Sequence, residues 1–413
     1  MMKDDGHRFN TAEIDMAKHR SPEERRTRKP FRVFGRRTLR AASRIIVILV
    51  LCVAATLAWF NRYNLAPSNV AAWVHDRVIG IGNGDGYPYS TKDMSISGQN
   101  FLSVDKNLLF LSDTSLVVLN PTAKELVNRQ HSFSTPVIKA NSSRMLIYNL
   151  GGKDCRVETI SGTVRTFTAD GKIIAGAVSA SGRYALLTEC DGYCGKLAVY
   201  TSDGKIKSYY WFSDYYPTSV ALNPDGTKAA VTGMSTNNGA LVSAVYILDL
   251  NSSNVSSPKG VYNENMLFSV SWDSSPSIIA IGDKAAEILN SDGTAQHSYD
   301  YGNMYLTSYG TCGGYTALGL ASYEDQCNAK FIVLDGAGRQ TISEKFSSAV
   351  KSVSFFGQNT AALSGGKVYF YSSATAAQSG TSDAGSDAKA IALRSENSAY
   401  ILGVSEIRLV SCG

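Results

Sequence analysis

Cysteines, histidines and one dense aromatic run are the residues of this chain whose types and spacing suggest chemistry. Six cysteines lie beyond residue 100: Cys155, Cys190, Cys194, Cys312, Cys327 and Cys412. A seventh, Cys52, sits in an apolar stretch and is expected to act there as a small apolar residue. Six is an even number, and in an oxidising compartment that suggests disulfides. Cys190 and Cys194 flank Asp191-Gly192-Tyr193, a turn sequence. Positions paired across a hairpin come within about 5–6 Å, inside disulfide range. A bridge between Cys190 and Cys194 is therefore expected. The partners of Cys155, Cys312, Cys327 and Cys412 are left open. The C-x3-C spacing lacks a second pair of ligands at a usable distance, so no metal is expected.

Histidine is scarce. His131 and His297 fall in outer strands of their units and read as surface or packing residues. With these two alone no Ser-His-Asp set can be built, and no catalytic residue and no cofactor are assigned. Gly80, Gly82, Gly84 and Gly86 form a glycine-rich run. A phosphate loop needs a strand before it and a helix after it, and neither is present. The run reads as a flexible hinge. The densest aromatic segment comprises Tyr209, Tyr210 and Trp211, continuing to Tyr215 and Tyr216. Exposed rings there would stack on a sugar or anchor a protein partner. The alternative is that they pack between neighbouring sheets.

The elements that would position these residues are strands. From about Tyr87 the chain repeats a unit of about 40 residues, with β-branched and aromatic runs separated by turn residues. Residues 173–212 show four such runs, at 174–179, 184–189, 196–200 and 206–211. Units of four strands at this period indicate a β-propeller. Seven full units and a three-strand remnant at the C-terminus give an all-β fold of eight blades, with seven as the alternative. The fourth strand of the last blade is expected from residues 87–93. The low-complexity patch at 374–389 is expected to give a short or frayed outer strand.

The N-terminus is different. Residues 1–44 hold 13 Lys or Arg and 6 Asp or Glu, a net +7. The chain totals 40 basic and 35 acidic residues, so residues 45–413 hold 27 against 29, or −2. Residues 1–44 read as a disordered basic tail, and the excess positive charge is confined to it. Residues 45–61 carry no charge; at about 1.5 Å per residue they span roughly 25 Å, the short end of a transmembrane helix. Basic residues beside one end hold that end in the cytoplasm. The expected topology is a signal anchor crossing the cell membrane once, with an extracellular ring. Residues 62–86 read as a linker with a short helix carrying Val70, Trp73, Val74 and Val78 on one face. The tail offers no platform for nucleic acid.

The turn segments LNPDGTKAAV from Leu222 and VSASGRYALL from Val178 resemble the repeat turns of WD40-like and TolB-like propellers. The ring as a whole resembles the bacterial eight-bladed propellers grouped with quinoprotein alcohol dehydrogenases and outer-membrane assembly scaffolds. Adjacent cysteines and tryptophan docking repeats are absent, so no quinone site is carried over. Basic tail, one span and ring together resemble a family of uncharacterised single-pass propeller proteins of Gram-positive bacteria. That resemblance implies a fold and no activity. The function expected is a non-enzymatic, membrane-tethered scaffold or sensor facing the envelope, with an envelope protein as partner. The alternatives are a cell-wall glycan-binding module and an enzyme acting on envelope polysaccharide.

Overall fold

The apolar runs between residues 89 and 411 form strands in sets of four in the computed structural model, which describes residues 36–60, 82–91, 94–252, 256–273, 276–324 and 328–412. The chain divides into two units, residues 1–62 and 63–413. In the first, one helix runs over Arg36–Phe60. Its apolar side chains from Ile45 to Leu51 are exposed. Among the described residues no helix is long and apolar enough to cross a membrane, so the span expected at 45–61 is not recovered as such. Most of the expected tail, residue 61 and the linker helix lie outside the described residues.

The second unit is an eight-bladed propeller, each blade an antiparallel sheet of four strands. Blade 1 runs from Ile96–Val104 to Glu125–Gln130, and blade 2 from Pro136–Ala140 to Thr163–Thr168. Blade 3 runs from Ile173–Val178 to Ile206–Phe212, and blade 4 from Tyr216–Leu222 to Gly260–Asn263. Blades 5, 6 and 7 open with Leu267–Ser271, Met304–Cys312 and Val350–Phe356. Blade 8 comprises Ala390–Ser395, Ser398–Leu402 and Glu406–Ser411, and its outermost strand is Tyr89–Ser90 from the other end of the chain. Tyr89 pairs with Ile407 and Ser90 with Glu406, so the expected closure forms. Gly82, Gly84 and Gly86 of the glycine run do not form a free hinge. Gly84 N–H donates to Thr122 Oγ1 at 3.0 Å, and a Cβ on Gly84 would meet the Lys124 backbone at 2.2 Å. Glycine is required there because the segment lies flat on a turn of blade 1. The outer strand of blade 7 is intact over Ala377–Asp383, so the low-complexity patch does not fray it.

The first strand of each blade is the inner edge of its sheet, and an edge leaves backbone groups unpaired. Small polar side chains satisfy them across the blade boundary. Asn100 donates to Pro136 O at 2.8 Å and accepts from Ile138 N–H at 3.2 Å. Thr218 donates to Leu267 O at 2.7 Å, and Ser308 to Val350 O at 2.8 Å. Ser352 and Ser354 accept from the N–H groups of Ile391 and Leu393. Inner strands thus bond to their neighbours around the axis. Outside them, apolar residues of the middle strands pack face to face. One such cluster joins Leu187, Leu197 and Val199 of blade 3 to Val231, Tyr246 and Leu248 of blade 4.

Candidate aromatic binding face

Alternation along Ile206–Phe212 divides the aromatic run into two sets. Side chains of a strand point to opposite faces in turn. Tyr210 and Phe212 face blade 4, against Tyr246, with ring centroids 6.4 and 5.3 Å away. The Tyr210 hydroxyl donates to Ser256 O at 2.6 Å. Tyr215 is half-buried and makes an edge contact with Tyr246 at 6.1 Å. These three rings hold blades together. Tyr209 and Trp211 take the other face, are 39% and 46% exposed, and lie 5.7 Å apart.

A third ring completes the patch. Tyr193, at the start of Tyr193–Tyr200, is 51% exposed, with its centroid 6.4 Å from Trp211. It lies beside Trp211 because the hairpin after Tyr184–Cys190 turns on Asp191 and Gly192 alone. The Lys196 ammonium sits 4.8 Å over the Tyr209 ring and forms an ion pair with Asp170. Such a cation over an aromatic face contributes about 0.5–1 kcal/mol at an exposed site. Tyr216 is exposed but lies in the next blade, paired with Met234. The connector before it is set by Gly195, where a Cβ would strike the Pro217 ring at 2.6 Å. In every blade the hairpin between second and third strands and the connector to the next blade lie at the same end. Tyr193, Trp211 and Tyr216 therefore share one end of the ring.

The same two-residue turn overturns the expected disulfide. Cys190 pairs with Tyr193, which leaves Cys194 one step out of register and on the opposite face. Both are free thiols. Cys194 Sγ donates to Ser213 O at 3.2 Å, and Cys190 Sγ turns to its neighbour Asp191 O. Cys155 is a free buried thiol in the core between blades 2 and 3, and Cys312 and Cys412 are also free. Cys327 lies outside the described residues. Among the described residues no group of three or more His, Cys, Asp and Glu could hold a metal ion.

One buried acid stands apart from this face. Glu287 of blade 5 is 5% exposed and accepts from Asn265 Nδ2 at 3.0 Å. Burial pushes its carboxyl pKa up, with partial relief from Ser298, Asn265 and His297. An acid whose folded pKa is raised adds stability while both folded and unfolded chains hold the proton. That contribution is lost as pH rises from the ordinary 4.5 through the raised value. Glu287→Gln keeps an acceptor for Asn265 and has no charge to bury. It should melt higher than the wild type at pH 7, and the gap should close below pH 4.5. A gap that is unchanged across this range would show that Glu287 ionises freely in the folded ring.

Residues 87–407 match the model of a family described as a family of unknown function, DUF5711. No curated protein matches the chain. Among solved structures, the C-terminal WD40 domain of Sif2 aligns with a TM-score of 0.55 at 9% identity, covering 80% of this chain and all of that one. The computationally designed Ika8 protein aligns at 0.54 and 13%, with the same coverage. Sqt1 from Chaetomium thermophilum aligns at 0.51 and 13%, again over 80% and 100%. At these identities the likeness establishes the propeller fold alone.

Proposed function

We propose that this chain, which belongs to the DUF5711 family of unknown function, is a non-enzymatic interaction scaffold whose partner docks on Tyr193, Tyr209 and Trp211. The observation that carries this reading is the triplet of exposed, mutually adjacent rings on blade 3. Aromatic anchors of this kind dominate the energetics of protein interfaces. The WD40-like fold of the ring is consistent with such a role. The exposed apolar helix within Arg36–Phe60 and the basic residues before it support tethering to a membrane, with the tail cytoplasmic and the ring outside.

The test has two parts. Cys introduced at Ser252 should react with an impermeant thiol reagent on whole cells beyond the wild-type background, and Cys introduced at Ser21 should not. The reverse pattern overturns the topology. Affinity capture of the intact protein from membranes should recover a protein partner, and Trp211→Ala with Tyr209→Ala should lower its recovery at least tenfold. A second reading rests on Lys196 and Asp170, polar groups set beside exposed rings of the kind that pack on sugars. Binding to purified cell-wall glycan that is lost in the same double variant would favour a glycan module over a protein scaffold.

A further inference from the structure

The eight inner strands carry no Asp or Glu, although the chain beyond residue 44 holds more acids than bases. They do carry three cations: Lys139 in blade 2, Lys351 in blade 7 and Arg394 in blade 8. None of the three has a hydrogen bond or an ion pair among the described residues. The small polar residues of these strands are engaged across the blade boundaries, as with Asn100, Ser352 and Ser354, and do not face the cations as partners. The acids nearest to these strands in sequence among the described residues, Asp105, Asp214, Asp273 and Glu396, lie beyond the strand ends.

Lys139 decides where these charges point. It lies on the innermost strand of its blade, with blades on both sides, yet its side chain is exposed. Its neighbour Ile138 is fully packed between blades 1 and 2. Lys139 is not a terminal residue of its strand, and away from the strand ends an inner-strand side chain meets solvent at the axial channel. Protein nevertheless surrounds the ammonium closely enough to push its pKa down, with burial as the sole cause and no carboxylate to counter it. Lys351 is likewise exposed on the inner strand of its blade. Arg394 is half-buried near the phenols of Tyr87 and Tyr400, which are neutral at physiological pH.

From this arrangement we infer that the axial channel is a binding site for a polyvalent, phosphate-bearing anion held by Lys139, Lys351 and Arg394. Three cations on separate blades suit several charges strung along one ligand rather than a single carboxylate. Two of the three are lysines, point charges that bind phosphate without the planar fork a carboxylate favours. This site is separate from the aromatic face, and its test is independent of docking there.

The probe is sodium tripolyphosphate, and the readout is the melting temperature of the full-length protein. A ligand that binds the folded ring raises the melting temperature. Binding to the basic N-terminal tail, which offers the same charges before and after the ring melts, does not. The wild type should melt higher as tripolyphosphate is added, and the rise should shrink with added salt. The triple variant Lys139→Met, Lys351→Met, Arg394→Met should lose the rise. A control with Lys207→Met and Lys345→Met, on outer strands, should keep it. If the triple variant fails to fold, Lys139→Met alone should reduce the rise at least twofold. No rise in the wild type, or an equal rise in the inner-strand variants, overturns the proposal.

Discussion

Removing residues 87–93 should abolish cooperative melting and leave a chain that aggregates. The short strand Tyr89–Ser90 joins the two ends of a ring, and its side chains act beyond their number. The Tyr87 ring packs 5.2 Å from Tyr400 of blade 8. The Tyr89 ring lies 6.1 Å from Phe110 of blade 1, and its hydroxyl donates to Glu125 Oε1 at 2.7 Å. Both rings pack on the core shared by blades 1 and 8. Two tyrosines in such a core contribute several kcal/mol at about 25 cal/mol per Å². The backbone adds Thr91 N–H to Ser405 O at 3.0 Å beside the two ladder pairs. Without the segment, Glu406–Ser411 becomes an exposed edge that templates pairing with other chains. Deleting residues 66–77, in the linker, should shift the melting temperature by only a few degrees. Calorimetry of the two deletions decides the matter. A chain without residues 87–93 that still melts in one sharp transition would mean the ring closes elsewhere.

That closure was legible in the sequence because blade grammar counts strands. Three strands at the end and one spare at the start leave a single way to avoid an edge. The turns were legible too. At Thr201–Lys205, Asn290–Thr294 and Asp335–Arg339 the same two backbone bonds close each turn, and the fourth residue has φ of 81–86°, where glycine stands each time. Asn120–Lys124 closes in the same way with Ala123 at φ 63°, without the glycine that marks the other three in the sequence. Register was harder to see. Asp191-Gly192 is a complete two-residue turn, and reading Tyr193 as part of it moved Cys194 opposite Cys190. The same one-residue slip concealed Tyr193 as the third ring of the aromatic patch. Alternation along Ile206–Phe212 would have separated Tyr209 and Trp211 from Tyr210 at once. The inner-strand hydrogen bonds were not legible, because they join residues about 40 positions apart whose depths along the axis follow only from the assembled ring.

Loss of the Glu158 carboxylate should be one of the most damaging polar substitutions in the ring. Glu158 is 0% exposed. Arg129, from the outer strand of blade 1, donates to Glu158 Oε2 at 2.9 Å and to Thr159 O and Ile160 O at 2.7 Å each. Arg156 pairs with the other carboxylate oxygen, and Thr163 donates to both. The carboxylate is thus fully hydrogen-bonded, and it joins two blades that also meet through the Asn100 hydrogen bonds of their inner strands and a shared apolar core. Glu158→Ala leaves two guanidinium groups, each less than a quarter exposed, without their counter-charge. Breaking one partner of a buried pair costs about 3–5 kcal/mol. The lower end applies here, because both arginines keep carbonyl acceptors and some water. The loss should persist in high salt, since a buried pair is screened far less than a surface one. Arg129→Met should cost less, because it removes the charge together with its need for a partner. Combined with Glu158→Gln it should show coupling of 1 kcal/mol or more, on the order typical of residues in one network. Urea unfolding of the two single variants and the double variant reads this directly. Additive losses would show that Arg129 and Glu158 act independently, and that their ion pair does not couple blades 1 and 2.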